Sequence, residues 1–259
     1  MTAKLLEGKR LADSVLASLA PRIALLKKKL ARDPRLAVVA SDAAEARRYL
    51  RQTIKTCEGA GVDLQIVSWP EKAGPAEAAR TLAALGQDPR IDGVLVDLPL
   101  PAGLAEDAVF NAIPFDKDAE GVHPLNYGRL FAAKRFDELR AGGRPVPCTA
   151  LAIAELLRET RFPLAGKRAV VVGRSTIVGR PAAHLLSTLD LTVTLCHSKT
   201  RDLEKLIGDA DVLVACLGRP GWVKGAWIKP GAVVLDAGTN VVAGKLRGDV
   251  EPSASDRAS

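Results

Sequence analysis

Apolar residues along the chain follow two alternating rhythms, and the alternation predicts the fold. Short, nearly unbroken apolar runs at Leu36–Ala40, Asp63–Trp69, Asp92–Asp97, Ala169–Val172, Leu191–Cys196, Ala210–Cys216 and Ala232–Asp236 predict strands. Runs without polar alternation belong to strands covered on both faces, as in parallel sheets. Between them apolar residues recur at helical spacing. Leu11–Leu30 carries Pro21 in its middle and predicts one kinked helix or two short ones. Ala43–Ala60, capped by Ser41-Asp42, predicts a helix whose core stripe is Leu50, Ile54 and Cys57; Pro75–Leu85 and Cys148–Arg158 predict two more. Residues 113–128 hold two prolines and two glycines without a period, predicting a long ordered loop, and Arg140–Pro147 reads as a polar connector. The order is strand, helix, strand twice over. This predicts an α/β protein of two domains, 1–146 and 147–259, the second a Rossmann-type domain with a parallel sheet.

The most informative stretch is Gly166–Pro181, GKRAVVVGRSTIVGRP, a strand, tight turn and helix start. Such a turn presents backbone N–H groups at a helix N-terminus, where a phosphate binds. Gly173 and Gly179 are the anchoring glycines, with Arg174, Ser175 and Ile177 between them; Ser175 stands where the G-x-G-x-x-G fingerprint has its second glycine. The next strand ends about 20 residues on, where an NAD site places an acid for the ribose 2′-hydroxyl. Here it ends instead in His197, Ser198, Lys199 and Thr200, which with Arg174 suit a 2′-phosphate. NADP is the expected cofactor. Gly218 and Gly238 follow the last two strands closely and, with Asn240, complete the expected cofactor residues.

Composition narrows the function. With 47% hydrophobic and 26% charged residues in 259, the chain supports two packed cores. No apolar run reaches membrane-spanning length and Met1-Thr2-Ala3-Lys4 opens no signal peptide, so a cytoplasmic protein without membrane partners is expected. Cys57, Cys148, Cys196 and Cys216 lie far apart, which predicts reduced thiols and no metal site. The net charge of +7 raises the question of nucleic acid. Its only tight cluster, Lys27-Lys28-Lys29, ends a predicted helix, where cations complement the dipole, and aromatics are only 4% of the chain, so no nucleic-acid partner is expected.

The segments GVLVDLPLP, KDAEGVHPLNYGRL, VVVGRSTIVGRP, TVTLCHSKT and WIKPGAVVLDAGTN, in this order along almost the whole chain, resemble the bifunctional methylenetetrahydrofolate dehydrogenase/cyclohydrolase family. The resemblance implies a tetrahydrofolate derivative as substrate, NADP as hydride acceptor and a homodimer joined through the cofactor domain. It also implies an N-terminal helix bearing Y-x-x-x-K, with the tyrosine against the folate ring and the lysine activating water for cyclohydrolysis. Here Tyr49 matches, but Thr53 holds the lysine position. Lys55 does not replace it, because two further residues of helix turn it about 200° to another face. Asp97 stands for the family's glutamine in G-[IV]-L-V-Q-L-P-L-P, and Glu120 for its pterin-binding aspartate. The chain ends at Ser259 without the family's P-G-G-V-G-P-M-T loop and last helix, so the two domains are expected to hinge loosely.

Hydride transfer relies mainly on bound geometry, whereas hydrolysis of a methenyl cation needs a poised acid/base. The expected activity is therefore an NADP-dependent 5,10-methylenetetrahydrofolate dehydrogenase that has lost cyclohydrolase. A folate enzyme redirected to another one-carbon acceptor and a catalytically silent NADP- or folate-binding homologue are the competing readings.

Overall fold

Strand β1 (Arg35–Ser41) lies between β2 (Asp63–Trp69) and β3 (Gly93–Val96) in a three-stranded parallel sheet. Its residues Ala37, Val38, Val39 and Ala40 are all buried, which is why the run tolerates no polar alternation. This computed structural model describes residues 3–41, 44–70, 72–143 and 145–256, less the side chains of 44–49, 140 and 256. By its internal contacts the chain divides into one unit of Gly8–Gly128 and another made of Met1–Glu7 with Arg129–Ser259.

The first unit adds α1 (Gly8–Leu30), α2 (Ala44–Ala60), α3 (Pro75–Gln87) and α4 (Glu106–Ala112). Helix α1 runs unbroken through Pro21 and has no buried residue. Ala17, whose carbonyl loses its partner at Pro21, is exposed, so the missing hydrogen bond lies on the solvent side of the helix. Helix α2 presents Leu50, Ile54 and Cys57 half-buried, as its stripe predicts; the cap expected at Ser41-Asp42 cannot be followed, since Asp42 lies outside the described residues. Helix α3 buries Ala78, Leu82 and Leu85.

Two readings need correction. The expected loop over 113–128 ends early, because α5 (Pro124–Ala132) begins inside it. Pro124, one of the two prolines that predict the loop, instead occupies the first helical turn, where its missing N–H is no loss, and His123 Nδ1 accepts the N–H of Leu125 at 3.1 Å. Within the rest, Val94 N–H donates to Lys117 O and Ala119 N–H to Val94 O, so 117–119 run alongside β3 as a one-bridge parallel ribbon. The connector over 140–147 likewise starts inside a short helix, α6 (Phe136–Ala141).

The second unit continues with α7 (Cys148–Glu159), β4 (Arg168–Val172), α8 (Gly179–Ser187), β5 (Thr192–Cys196), α9 (Leu203–Gly208), β6 (Val212–Ala215) and β7 (Val233–Asp236). These four strands form a parallel sheet in the order β5-β4-β6-β7. Every residue of β6 is buried, and Val170, Val172, Leu213 and Ala215 pack with Ile207 and Ile228 against Trp222 and Trp227. A final hairpin, β8 (Asn240–Val242) with β9 (Lys245–Arg247), is antiparallel.

Both sheets share one topological device. The first strand in sequence sits inside, the second pairs on one side of it and the third on the other, so the connections leave β1 and β4 in opposite directions. The crevice above the carboxyl ends at that reversal is where open α/β sheets bind ligands. It lies between β1 and β3 in the first unit and between β4 and β6 in the second.

Candidate functional site

In the second unit the crevice is built from backbone. Gly173 leaves β4 with φ +124°, a conformation that side chains rarely adopt, and a Cβ there would run into the carbonyl of Cys216 at the end of β6. A Cβ on Gly179 would run into the carbonyl of Gly173, so helix α8 starts pressed against the strand's exit. Two glycines thus bring α8's N-terminus over the sheet edge with no side chain in the way. Ser175 Oγ accepts the N–H groups of Val178 and Gly179, each at 3.2 Å, and shapes the turn; Arg174 and Ser175 are exposed and Ile177 is half-buried.

Strand β5 pairs with β4 so that Cys196 lies opposite Val172, and Gly173 N–H donates to Cys196 O. Arg174 and the 197–200 turn therefore share one sheet edge. The turn holds its own shape: Thr200 Oγ1 accepts His197 N–H at 2.8 Å, and His197 Nδ1 accepts Lys199 N–H at 3.1 Å. Ser198 and Lys199 point to solvent. An exposed guanidinium, hydroxyl and ammonium at the end of the second strand are the donors a 2′-phosphate takes. The residues present fit a dinucleotide, since the Gly173–Gly179 turn leaves backbone at a helix N-terminus open to an anion such as a diphosphate.

Gly218, Gly238 and Asn240 meet at Asp249, a residue to which the sequence alone assigns no role. It is fully buried; its Oδ2 accepts the N–H groups of Leu217 (2.5 Å) and Gly218 (3.0 Å), and its Oδ1 accepts Arg219 N–H (2.7 Å) and Asn240 Nδ2 (2.9 Å). Asp236 Oδ1 in turn accepts Asp249 N–H at 3.0 Å and Gly238 N–H at 2.9 Å. One carboxylate thereby fixes both loops that flank the crevice after β6 and β7. The Cys216 thiol beside it is pushed up to about 12, by burial first and by Asp249's charge second, which keeps it a neutral packing group.

In the first unit the crevice is lined by acids. Asp97 follows β3 and is 7% exposed; its N–H donates to Val39 O, and its Oδ2 has no hydrogen-bond partner among the described residues. Burial holds its carboxyl above the usual range. The parallel bridge between Val94 and Asp118 brings Glu120 alongside the end of β3, next to Asp97. Asp118 itself is saturated: Oδ1 accepts Glu120 and Gly121 N–H, and Oδ2 accepts His123 N–H and Asn126 Nδ2. Lys117 supplies no counter-charge there, since its ammonium donates to the carbonyls of Leu85 and Asp88 at the end of α3. Glu120 is consequently pushed up to about 7, by burial first, then by the charges of Asp118 and Asp97. Tyr127 on α5 is displaced upward by burial and by Asp118, Glu120 and Glu106. Like Asp249, Tyr127 was missed by the sequence reading, because its tie to Asp118 and Glu120 exists only once α5 is folded.

Thr53 lies half-buried on α2, one turn beyond position 49, while Lys55 is exposed. Tyr49's side chain lies outside the described residues. Among the described residues no group of three or more His, Cys, Asp or Glu is arranged to hold a metal ion, and no helix is long and apolar enough to cross a membrane.

Comparison with known proteins assigns both halves of the chain to one family. Residues 6–120 match the model of the tetrahydrofolate dehydrogenase/cyclohydrolase catalytic domain, and residues 147–259 that of the same family's NAD(P)-binding domain. Bifunctional protein FolD from Chloroflexus aurantiacus is 42% identical over 255 residues, which is 97% of this chain and 86% of that protein. The fold superimposes on the bifunctional FolD methylenetetrahydrofolate dehydrogenase/cyclohydrolase of Campylobacter jejuni with a TM-score of 0.90 at 32% identity, covering 99% of this chain and 89% of the other. Against the Trypanosoma brucei enzyme, solved with NADP and an inhibitor, the TM-score is 0.89 at 32% identity, with 100% and 88% covered. The chain belongs to the tetrahydrofolate dehydrogenase/cyclohydrolase family.

Proposed function

We propose that the protein is an NADP-dependent 5,10-methylenetetrahydrofolate dehydrogenase without lysine-driven cyclohydrolase activity. The dehydrogenase half is supported by the backbone cradle at Gly173 and Gly179 and by the shared edge of Arg174, Ser198 and Lys199. NADP supplies the hydride acceptor; the chain's own work is to bind and orient the two reactants and exclude water. Each charge-assisted contact to a 2′-phosphate contributes about 1.5–3 kcal/mol, so two suffice for strong preference over NAD.

The observation that carries the loss of hydrolysis is Thr53, half-buried on α2 at the position where the family has its lysine; the described ionisable side chains that act on one another after β3, Asp97, Asp118, Glu120 and Tyr127, include no lysine to replace it. A threonine hydroxyl does not titrate near neutrality and cannot pass a proton to and from water. Supplying methylenetetrahydrofolate and NADP and recording nicotinamide and methenyl absorbance together tests both halves. The expected result is NADPH formation with methenyltetrahydrofolate accumulating and decaying at its uncatalysed rate. No NADPH overturns the dehydrogenase; accelerated decay overturns the loss of hydrolysis.

The assembly proposed is a homodimer through the second unit, working in the cytoplasm, where its four cysteine thiols stay reduced. Its support is the hairpin β8–β9, where Val241, Val242 and Leu246 are 58%, 43% and 68% exposed, together with Leu195 on edge strand β5. Light scattering at micromolar concentration reporting a monomer would refute it.

A further inference from the structure

The acids of the first unit carry a property that a dehydrogenase lacking lysine can use, and the inference rests on the folate reading above. Glu120 is held in place by Asp118, whose Oδ1 accepts its N–H at 3.2 Å, and Asp118 has no acceptor capacity left for a ligand. Asp97 closes the end of β3 with one oxygen buried and unpartnered among the described residues. The described charged and titratable side chains around Glu120 are Asp97 after β3, Asp118 in its own turn and Tyr127 on α5, with Glu106 of α4 acting on Tyr127. Lys117 is tied to α3, Lys55 is exposed on α2, and His123 Nδ1 accepts the N–H of Leu125.

We propose that Glu120 and Asp97 form a cation-sensing pair: Glu120 holds a proton while the pocket carries a folate with a neutral ring system, and releases it to solvent when the bridge of that ring system becomes the methenyl cation. The step balances. A C–H bond of the neutral methylene bridge breaks, its electron pair leaves as hydride to the nicotinamide of NADP, the folate is left with one positive charge, and the Glu120 carboxyl loses one proton to water. The pair of carboxylates then faces one cation, where the family's glutamine and aspartate would set one carboxylate. Burial and two acidic neighbours put the titration of Glu120 at about 7, where a ligand's charge shifts it across working pH. Were the bridge to lie within about 5 Å, its unit charge at an effective dielectric constant of about 20 would favour ionisation of the carboxyl by on the order of 100-fold. The same attraction retains the methenyl product, which suits an enzyme that does not hydrolyse it.

Isothermal titration calorimetry of the full chain, in buffers of different ionisation enthalpy, reads the proton directly without turnover. The ligands are methenyltetrahydrofolate, whose ring system carries one positive charge, and tetrahydrofolate, whose ring system is neutral; both bear the same glutamate carboxylates. Binding of the cation is expected to release most of one proton at pH 6 and to tighten about fivefold from pH 6 to 7, as the carboxyl ionises; tetrahydrofolate should release none and bind with flat pH dependence. Glu120→Gln should abolish the release, and Asp97→Asn should diminish it at pH 6.5. Equal proton release for both ligands, or unchanged release in Glu120→Gln, overturns the pair. Failure of the protein to bind either folate overturns the folate reading and the pair with it, a signature distinct from binding without proton release. The comparison of the two ligands on the wild-type chain stands even if a variant misfolds.

Discussion

Replacing Asp249 by asparagine should cost the second unit about a third to a half of a typical domain's stability although it exchanges a single heavy atom. The four donors that meet this side chain, three backbone N–H groups and the Asn240 amide, divide evenly between its two oxygens. Whichever way the new carboxamide turns, its NH2 faces two donors that cannot be satisfied. Hydrogen bonds to a charged group contribute about 1.5–3 kcal/mol each, so losing two costs about 3–6 kcal/mol, against a total of about 5–15 kcal/mol for a typical domain. Solvent does not rescue the site, because Asp249 is 0% exposed. Urea unfolding followed by tryptophan fluorescence gives the loss, since Trp222 and Trp227 pack edge to face at 5.6 Å in the same unit. Amide hydrogen exchange gives its location, with Leu217, Gly218 and Arg219 expected to lose protection first. A change under about 1 kcal/mol, or exchange at those three amides no faster than in the wild type, would refute the assigned role.

Three further outcomes are expected. Glu120, raised from 4.5 to about 7 in the folded chain, contributes stability that is complete below pH 4.5 and is lost as pH rises through 7; at 1.36 kcal/mol per pH unit the loss is about 3 kcal/mol, seen as a lower urea midpoint at pH 8 than at pH 5 and absent in Glu120→Gln. Gly173→Ala should abolish NADP binding measured by calorimetry, because the new methyl group meets the Cys216 carbonyl at a backbone angle alanine rarely adopts; wild-type affinity would contradict the cradle. Thr53→Lys alone should leave methenyl hydrolysis near background, because Asp97 would hold the new ammonium charged, whereas Thr53→Lys with Asp97→Gln should accelerate it; equal rates in the two variants count against that pairing.

The strands were legible because parallel sheets write themselves as uninterrupted apolar runs, and β1, β4 and β6 are such runs. Short elements were not: α4, α6 and α9 have only six or seven residues, too few to show a period, and the hairpin β8–β9 exposes the residues that would have marked it. Pro124 misled because a proline that ends one helix and a proline that begins another look alike in sequence. At the site, motif spacing singles out Gly173 and Gly179, whereas Asp97 and Glu120 stand out only through the resemblance to the family. Their environments were not legible, since Asp249 reaches Leu217 across 32 residues and Glu120 meets Asp97 only after 117–119 line up along β3.

The parallel pairing also sets how the chain must fold. Arg35 finds Asp63 only after α2 has formed or been looped out, and Leu36 finds Gly93 only after α3 as well; Ala169 likewise waits for Val212. Such distant partners impose loop-closure entropy before any contact compensates, which slows folding relative to a meander of hairpins. During that wait the inner strands, with Val38 and Val39 in one sheet and Val171 and Val172 in the other, present bare edges on both sides. Emerging from the ribosome, β1 and β4 are therefore the segments most in need of chaperone cover, and aggregation at high expression should begin there.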